Sequence, residues 1–113
     1  MNKDLTRHFF GGFVRLHILY HAAKEPICGI EMIEELGRHG YKLSPGTLYP
    51  ILHDLEESSY LSCKGETVRG KRRKNYRITK KGQKLLAQAQ VKLRELFSEL
   101  VEDRSKLAKA RMG

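Results

Sequence analysis

Leu43-Ser44-Pro45-Gly46-Thr47-Leu48-Tyr49-Pro50-Ile51-Leu52-His53-Asp54-Leu55 decides how the rest of the chain is read. Ser44 followed at once by Pro45 predicts a helix start. The serine hydroxyl can accept a bond from a free first-turn amide, and proline wastes no donor at the first helical position. Leu48, Ile51, Leu52 and Leu55 then fall at i, i+3, i+4 and i+7, a single stripe that has to be buried. Thr47, Tyr49, His53 and Asp54 are left on the other side. Pro50 deletes one backbone hydrogen bond inside this helix, so a loosened or bent first turn is expected.

Upstream, Leu5, Phe9, Phe13, Leu16, Leu19, Tyr20 and Ala23 keep to helical spacing, interrupted by Gly11-Gly12. The pattern predicts a short N-terminal turn or helix and then a main helix from about Gly12 to Ala23, with Phe13 and Tyr20 in the core. Glu25-Pro26 closes it, because a residue before proline is pushed out of the helical region. Ile30, Ile33 and Leu36 outline a second helix from about Gly29 to His39, and Gly40 supplies a left-handed stop. Two helices joined by a tight turn with glycine give the outline of a helix-turn-helix.

Downstream the pattern changes to extended structure. Tyr60–Lys64 and Asn75–Ile78 read as strands, with a turn near Gly70-Lys71-Arg72, so a hairpin or wing follows the Ser44 helix. Thr79 can cap a last helix that runs to about Lys106. Within it Leu86, Leu93, Leu100 and Leu107 recur every seven residues, Ala89 and Leu96 follow the first two by three, and Asp103 frays the seam. A helix of this length has more apolar face than one small domain can cover, so self-association is expected. The fold class is thus mainly α with a small β-hairpin, a winged helix-turn-helix over residues 1–79 with a C-terminal dimerisation helix over 80–113.

The chain of 113 residues carries a net charge of +9, and its placement matters more than its size. Residues 62–84 hold ten Lys or Arg against Glu66 alone, a balance equal to the excess of the whole protein. Such focusing is the footprint of a polyanion partner; the plainer alternative is a solvated basic hairpin. Cys28 and Cys63 are too few for a disulfide framework, and there is neither a signal pattern nor an apolar run long enough to span a bilayer. A cytoplasmic location is expected. No phosphate-binding glycine loop or nucleophile context occurs, and Glu34-Glu35 and Glu56-Glu57 sit as helix-surface charges, so no enzymatic activity or cofactor is expected. His17 and His21 lie four apart on one helix, but with no third ligand at a telling spacing no metal is expected.

A recognition helix fits the major groove of duplex DNA, and a basic hairpin beside it reaches the backbone or the minor groove. The candidate DNA-binding residues are Ser44, Pro45, Gly46, Thr47, Tyr49 and His53 on the helix, and Arg69, Lys71, Arg72, Arg73 and Lys74 on the wing. Ser44 and Gly46 offer amides at a helix start where a phosphate can dock. Tyr76, just behind the basic run, reads equally as a sugar-phosphate contact or as a hairpin core residue.

The run Leu43 to Leu52, then Leu55-Glu56-Glu57, then Arg73-Lys74-Asn75-Tyr76-Arg77-Ile78-Thr79-Lys80-Lys81-Gly82 closely resembles the PadR family of bacterial transcriptional regulators. The resemblance covers about Gly12 to Leu100. It implies a winged helix-turn-helix that dimerises through its C-terminal helix and represses transcription from a two-fold-related operator, released in many members by a small aromatic molecule. By position it assigns DNA contact to Ser44, Gly46, Thr47 and Tyr49, with Lys71, Arg72 and Arg73 from the wing. The chain departs from the family pattern at Ile30, where tyrosine is usual, at Ser59, where a turn glycine is common, and at Asn75, where a second aromatic is common. Drug-binding members use a tryptophan that this chain lacks.

The expectation is a sequence-specific DNA-binding regulator, a homodimeric repressor on a pseudo-palindromic operator. Its dimer interface would involve Leu86, Ala89, Leu93, Leu96, Phe97, Leu100 and Leu107 with Phe9 and Phe10, and any small-molecule effector would sit at that interface. The alternative is a winged-helix protein-interaction or RNA-binding module without specific DNA binding.

Overall fold

The computed structural model describes residues 2–102. Its elements run α1 (Asn2–Lys24), β1 (Ile27–Cys28), α2 (Gly29–Arg38), α3 (Pro45–Glu57), β2 (Leu61–Val68), β3 (Lys71–Ile78) and α4 (Lys80–Phe97), with a π-helical turn over Ser98–Glu102. The three strands form one antiparallel sheet in the order β1-β3-β2. The fold class is the expected winged helix-turn-helix, mainly α with a small sheet. Leu107 and Asp103 of the leucine seam lie outside the described residues.

The stripe on α3 does what its spacing predicts. Leu48, Leu52 and Leu55 are buried with Met32 and Leu36 of α2 and Ile18 and Leu19 of α1, and Ile51 packs at the margin. Three buried leucines are worth roughly 5 to 9 kcal/mol. Proline inside a helix costs about 3 kcal/mol. Burial wins, and α3 continues through Pro50.

Helices α2 and α3 end in the same way. After α2, the Tyr41 amide donates to the Leu36 carbonyl (3.0 Å) and the Gly40 amide to the Gly37 carbonyl (3.0 Å), with Gly40 at φ 88°. After α3, Tyr60 donates to Leu55 (2.9 Å) and Ser59 to Glu56 (2.9 Å), with Ser59 at φ 67°. Both are left-handed caps that satisfy the last carbonyls, one with the expected glycine and one without.

This second turn also seats α4. The Thr79 hydroxyl accepts from the Gly82 amide (3.0 Å) and donates to the Ser59 carbonyl (2.5 Å), so one side chain caps α4 and ties it to the end of α3. Gly82 has no room for a side chain, because a Cβ there would collide with the Tyr60 carbonyl and stand 2.7 Å from Cγ1 of Ile78.

Four expectations need correction. The N-terminal segment is one helix, not a turn followed by a helix: Gly12 faces open space, and the Arg15 guanidinium folds back to donate to the Gly11 carbonyl (3.0 Å). Neither Tyr20 nor Phe13 is core: Tyr20 is 47% exposed, and Phe13 is half-buried at the groove beside α4. The inward face of α1 is set by Val14, Ile18 and Ala22, because those positions meet α2 and the sheet. The sheet has a third strand, since Ile27 and Cys28 pair with Tyr76 and Asn75 of β3. Finally, the hairpin turns at Arg69-Gly70, with both residues at positive φ (52° and 79°), the conformation a two-residue hairpin turn requires.

Candidate nucleic-acid interface

The start of α3 is held by backbone instead of by the serine side chain. The Ser44 carbonyl accepts from the Thr47 amide (3.1 Å) and the Leu48 amide (3.0 Å), while the Ser44 hydroxyl pairs with the Thr47 hydroxyl at 3.2 Å. The expected amide cap by Ser44 therefore does not form. Pro45 has no donor, and the Gly46 amide has no acceptor among the described residues, so one free N–H and two hydroxyls stand at the positive end of the helix dipole. This is the group that the sequence assigned to phosphate or base contact, and all of it is exposed.

Along the outer face of α3, His53 is exposed and places Nε2 3.6 Å from a carboxylate oxygen of Glu57. Tyr49 is 42% exposed and lies across Gly29 at the start of α2. A Cβ on Gly29 would stand 2.6 Å from the tyrosine hydroxyl, so glycine there makes the space for the ring. Tyr49 thereby forms one side of a cleft of about 550 Å³, whose far side is the wing: Val68, Lys71, Arg72 and Lys74. The recognition-helix aromatic and the basic strand share one concave surface.

The basic run divides in two. Arg69, Lys71, Arg72 and Lys74 are exposed, and the Arg72 guanidinium lies over Gly65 of the neighbouring strand, where a Cβ would come within 2.8 Å of it. Arg73 differs from its neighbours. Its guanidinium meets Glu31 at 2.8 Å, and Glu31 also accepts the Cys28 amide at 3.1 Å. The bond from the Cys28 amide, aided by Arg73, holds the Glu31 carboxyl below its usual value. Arg73 is thus half-buried and charge-compensated, and it fastens β3 to the start of α2. It does not stand as a free wing charge.

Tyr76 is a second correction. It is only 5% exposed, with its ring in the core beside Ile27 and Leu61, and burial pushes its hydroxyl up to about 12. A side chain so placed has no path to a sugar-phosphate backbone, so the core reading holds. The signal was present in the sequence: Tyr76 and Ile78 are two apart on one strand and share a face. Glu31 and Gly29 were missed, because an isolated acid on α2 and a glycine at its start gain meaning only when β3 and α3 are folded onto them.

Comparison with known proteins now identifies this architecture. Residues 18–88 match the model of the "Transcriptional regulator PadR-like family". The chain belongs to the PadR-like family of transcriptional regulators. Transcriptional regulator Rv3488 of Mycobacterium tuberculosis is 43% identical over 102 residues, which span 90% of this chain and 95% of that protein. The crystal structure of a PadR-like transcription factor from Bacteroides fragilis superposes with a TM-score of 0.76 at 28% identity, covering 86% of this chain and 95% of the other. A PadR-family regulator from Eggerthella lenta superposes at 0.74 with 24% identity over 88% of each chain, a likeness of fold alone. This PadR-like protein is therefore a DNA-binding transcriptional regulator and not an enzyme. No helix among the described residues is long and apolar enough to cross a membrane.

Proposed function

We propose that this PadR-like protein is a cytoplasmic, homodimeric repressor that reads a pseudo-palindromic operator, with one α3 in each of two successive major grooves about 34 Å apart. The observation that carries the reading is the shared cleft: Tyr49 of α3 and the exposed Lys71, Arg72 and Lys74 line the same surface, so a helix in the groove brings the wing onto the adjoining backbone. Ser44, Pro45, Gly46, Thr47, Tyr49 and His53 form the reading face. Arg69, Lys71, Arg72 and Lys74 supply the sequence-independent affinity, and Arg73 acts by holding the wing in place. An effector, where one exists, would enter the apolar groove lined by Phe13, Leu93, Leu96, Phe97 and Val101, near Phe9 and Phe10.

The test is selection of duplex DNA from a random-sequence pool at two salt concentrations, with RNA as competitor. A two-fold-symmetric motif should emerge and survive the higher salt. Thr47→Ala should change the preferred bases, while Arg72→Ala should weaken binding to all sequences and reduce the salt slope by about 1. Binding that is weak, sequence-blind and equally satisfied by RNA would overturn the operator reading and favour an interaction module. Repression itself is read by a reporter behind the selected site, which should be silenced by the wild type and released by Thr47→Ala.

A further inference from the structure

Away from the DNA-facing side, three imidazoles converge where α1 meets the end of α2. His17 and His21 are one turn apart on α1 with parallel rings 6.4 Å apart. His39, the C-cap of α2, stacks on His17 at 4.4 Å and leans over His21 at 5.7 Å. One ring nitrogen from each lies within 4.8 Å of the other two. His21 is the informative member. It is 8% exposed, the one polar or charged residue that is buried among the described residues, and its Nε2 has no hydrogen-bond partner among them.

Packing alone explains this cluster poorly. Stacked histidines with Tyr41 nearby would serve as ordinary filler, but a buried nitrogen left without a partner carries a desolvation cost that packing does not return. Neutral imidazole is the form that binds metal, and it presents one ring nitrogen from each of the three histidines to a common point. Three nitrogen donors without a carboxylate suit zinc, nickel, copper or cobalt and do not suit magnesium or calcium.

We propose that His17, His21 and His39 form a three-histidine site for a first-row transition metal of the zinc type, with the fourth position open to water. Bonds of about 2.0–2.1 Å require the nitrogens to close in by a fraction of their present spacing, a movement open to the exposed His39 by side-chain rotation. The metal would satisfy the orphan nitrogen of His21 and would pin α1 to the turn that leads into α3. Sequence spacing hides the third ligand, because His39 follows His21 only after the whole of α2. The site lies outside the DNA-facing cleft, and the inference does not depend on the operator reading.

The experiment titrates the full-length protein with Zn²⁺ against a chromophoric chelator and with Co²⁺ by visible absorption. One ion should bind per chain with a dissociation constant below about 1 µM. Cobalt should give bands of nitrogen ligation without the charge-transfer band of a thiolate. His17→Gln and His39→Gln, at positions that are not fully buried, should each weaken binding at least about tenfold, and His8→Gln should leave it unchanged. Zinc should raise the melting temperature of the wild type and of His8→Gln but not of His39→Gln; far-UV circular dichroism checks that each variant is folded. Failure of the wild type to bind, a thiolate band, or full affinity in both His17→Gln and His39→Gln would overturn the site.

Discussion

Glu31 ties the wing to the start of α2. Its carboxylate receives the Cys28 amide and the Arg73 guanidinium, so a single charge joins the first turn of α2 to β3. Because the folded carboxyl sits below its ordinary value of 4.5, the stability it contributes is present above that value and is lost as pH falls through the folded value. Glu31→Gln keeps the shape and removes the charge. Its melting temperature should lie below that of the wild type at neutral pH, and the gap should close as pH falls from the ordinary value of 4.5 through the lowered folded value. A gap that stays constant from pH 7 to pH 3 would show that the charge contributes nothing. The residue is half exposed, so the effect is modest. Tyr76 teaches the complementary lesson: it follows a run of four cationic residues, Lys71 to Lys74, by two positions, but alternation along the strand, not the company it keeps, decides that it is buried.

The elements whose ends are written in local chemistry were legible; those that exist through their neighbours were not. Gly40, Ser44-Pro45 and Thr79 mark helix boundaries within a residue of where they fall, because caps and stops are short-range effects. The continuity of α1 through Gly11-Gly12 was not legible, since a propensity penalty of about 1 kcal/mol per glycine is local while the packing that outweighs it is not. Strand β1 has two residues and no pattern of its own; it is a strand only because β3 offers an edge. The paired helix ends give a direct comparison. Gly40 and Ser59 occupy equivalent left-handed positions, and a side chain there costs roughly 1 to 2 kcal/mol, part of which is returned by the stiffer unfolded chain. Ser59→Gly should therefore stabilise the protein by about 0.5–1 kcal/mol in urea unfolding with an unchanged m value, and Gly40→Ala should destabilise it by about 1 kcal/mol. The opposite signs would mean that the serine side chain has a compensating role.

At the scale of the whole molecule, the apolar residues that α4 leaves uncovered call for a second surface. Leu86 packs on the core of its own chain, but beyond it Leu93, Leu96, Phe97, Leu100 and Val101 are largely exposed, and Phe9 and Phe10 of α1 stand exposed as well. Exposed apolar residues gathered on one face in this way are the kind of surface that a second chain covers. The sequence anticipated the seam but not its irregularity. The π-helical turn over Ser98–Glu102 carries fewer degrees per residue than an α-helix, so the heptad line through Leu86 and Leu93 is displaced after Phe97, and Leu100 and Val101 both face the groove beside Phe13. If this surface joins two copies, the spacing of the two α3 helices is set there, far from either reading face. Leu96→Asp combined with Leu100→Asp places two charges on the seam without touching the winged domain. The wild type should sediment as a dimer and the double variant as a folded monomer. The monomer should retain its far-UV spectrum and its salt-dependent binding to a half-site while losing at least about 100-fold in affinity for the full operator, as expected when the second binding event is no longer intramolecular. A wild type that sediments as a monomer would overturn the dimer, and a double variant that remains dimeric would place the interface elsewhere on the molecule.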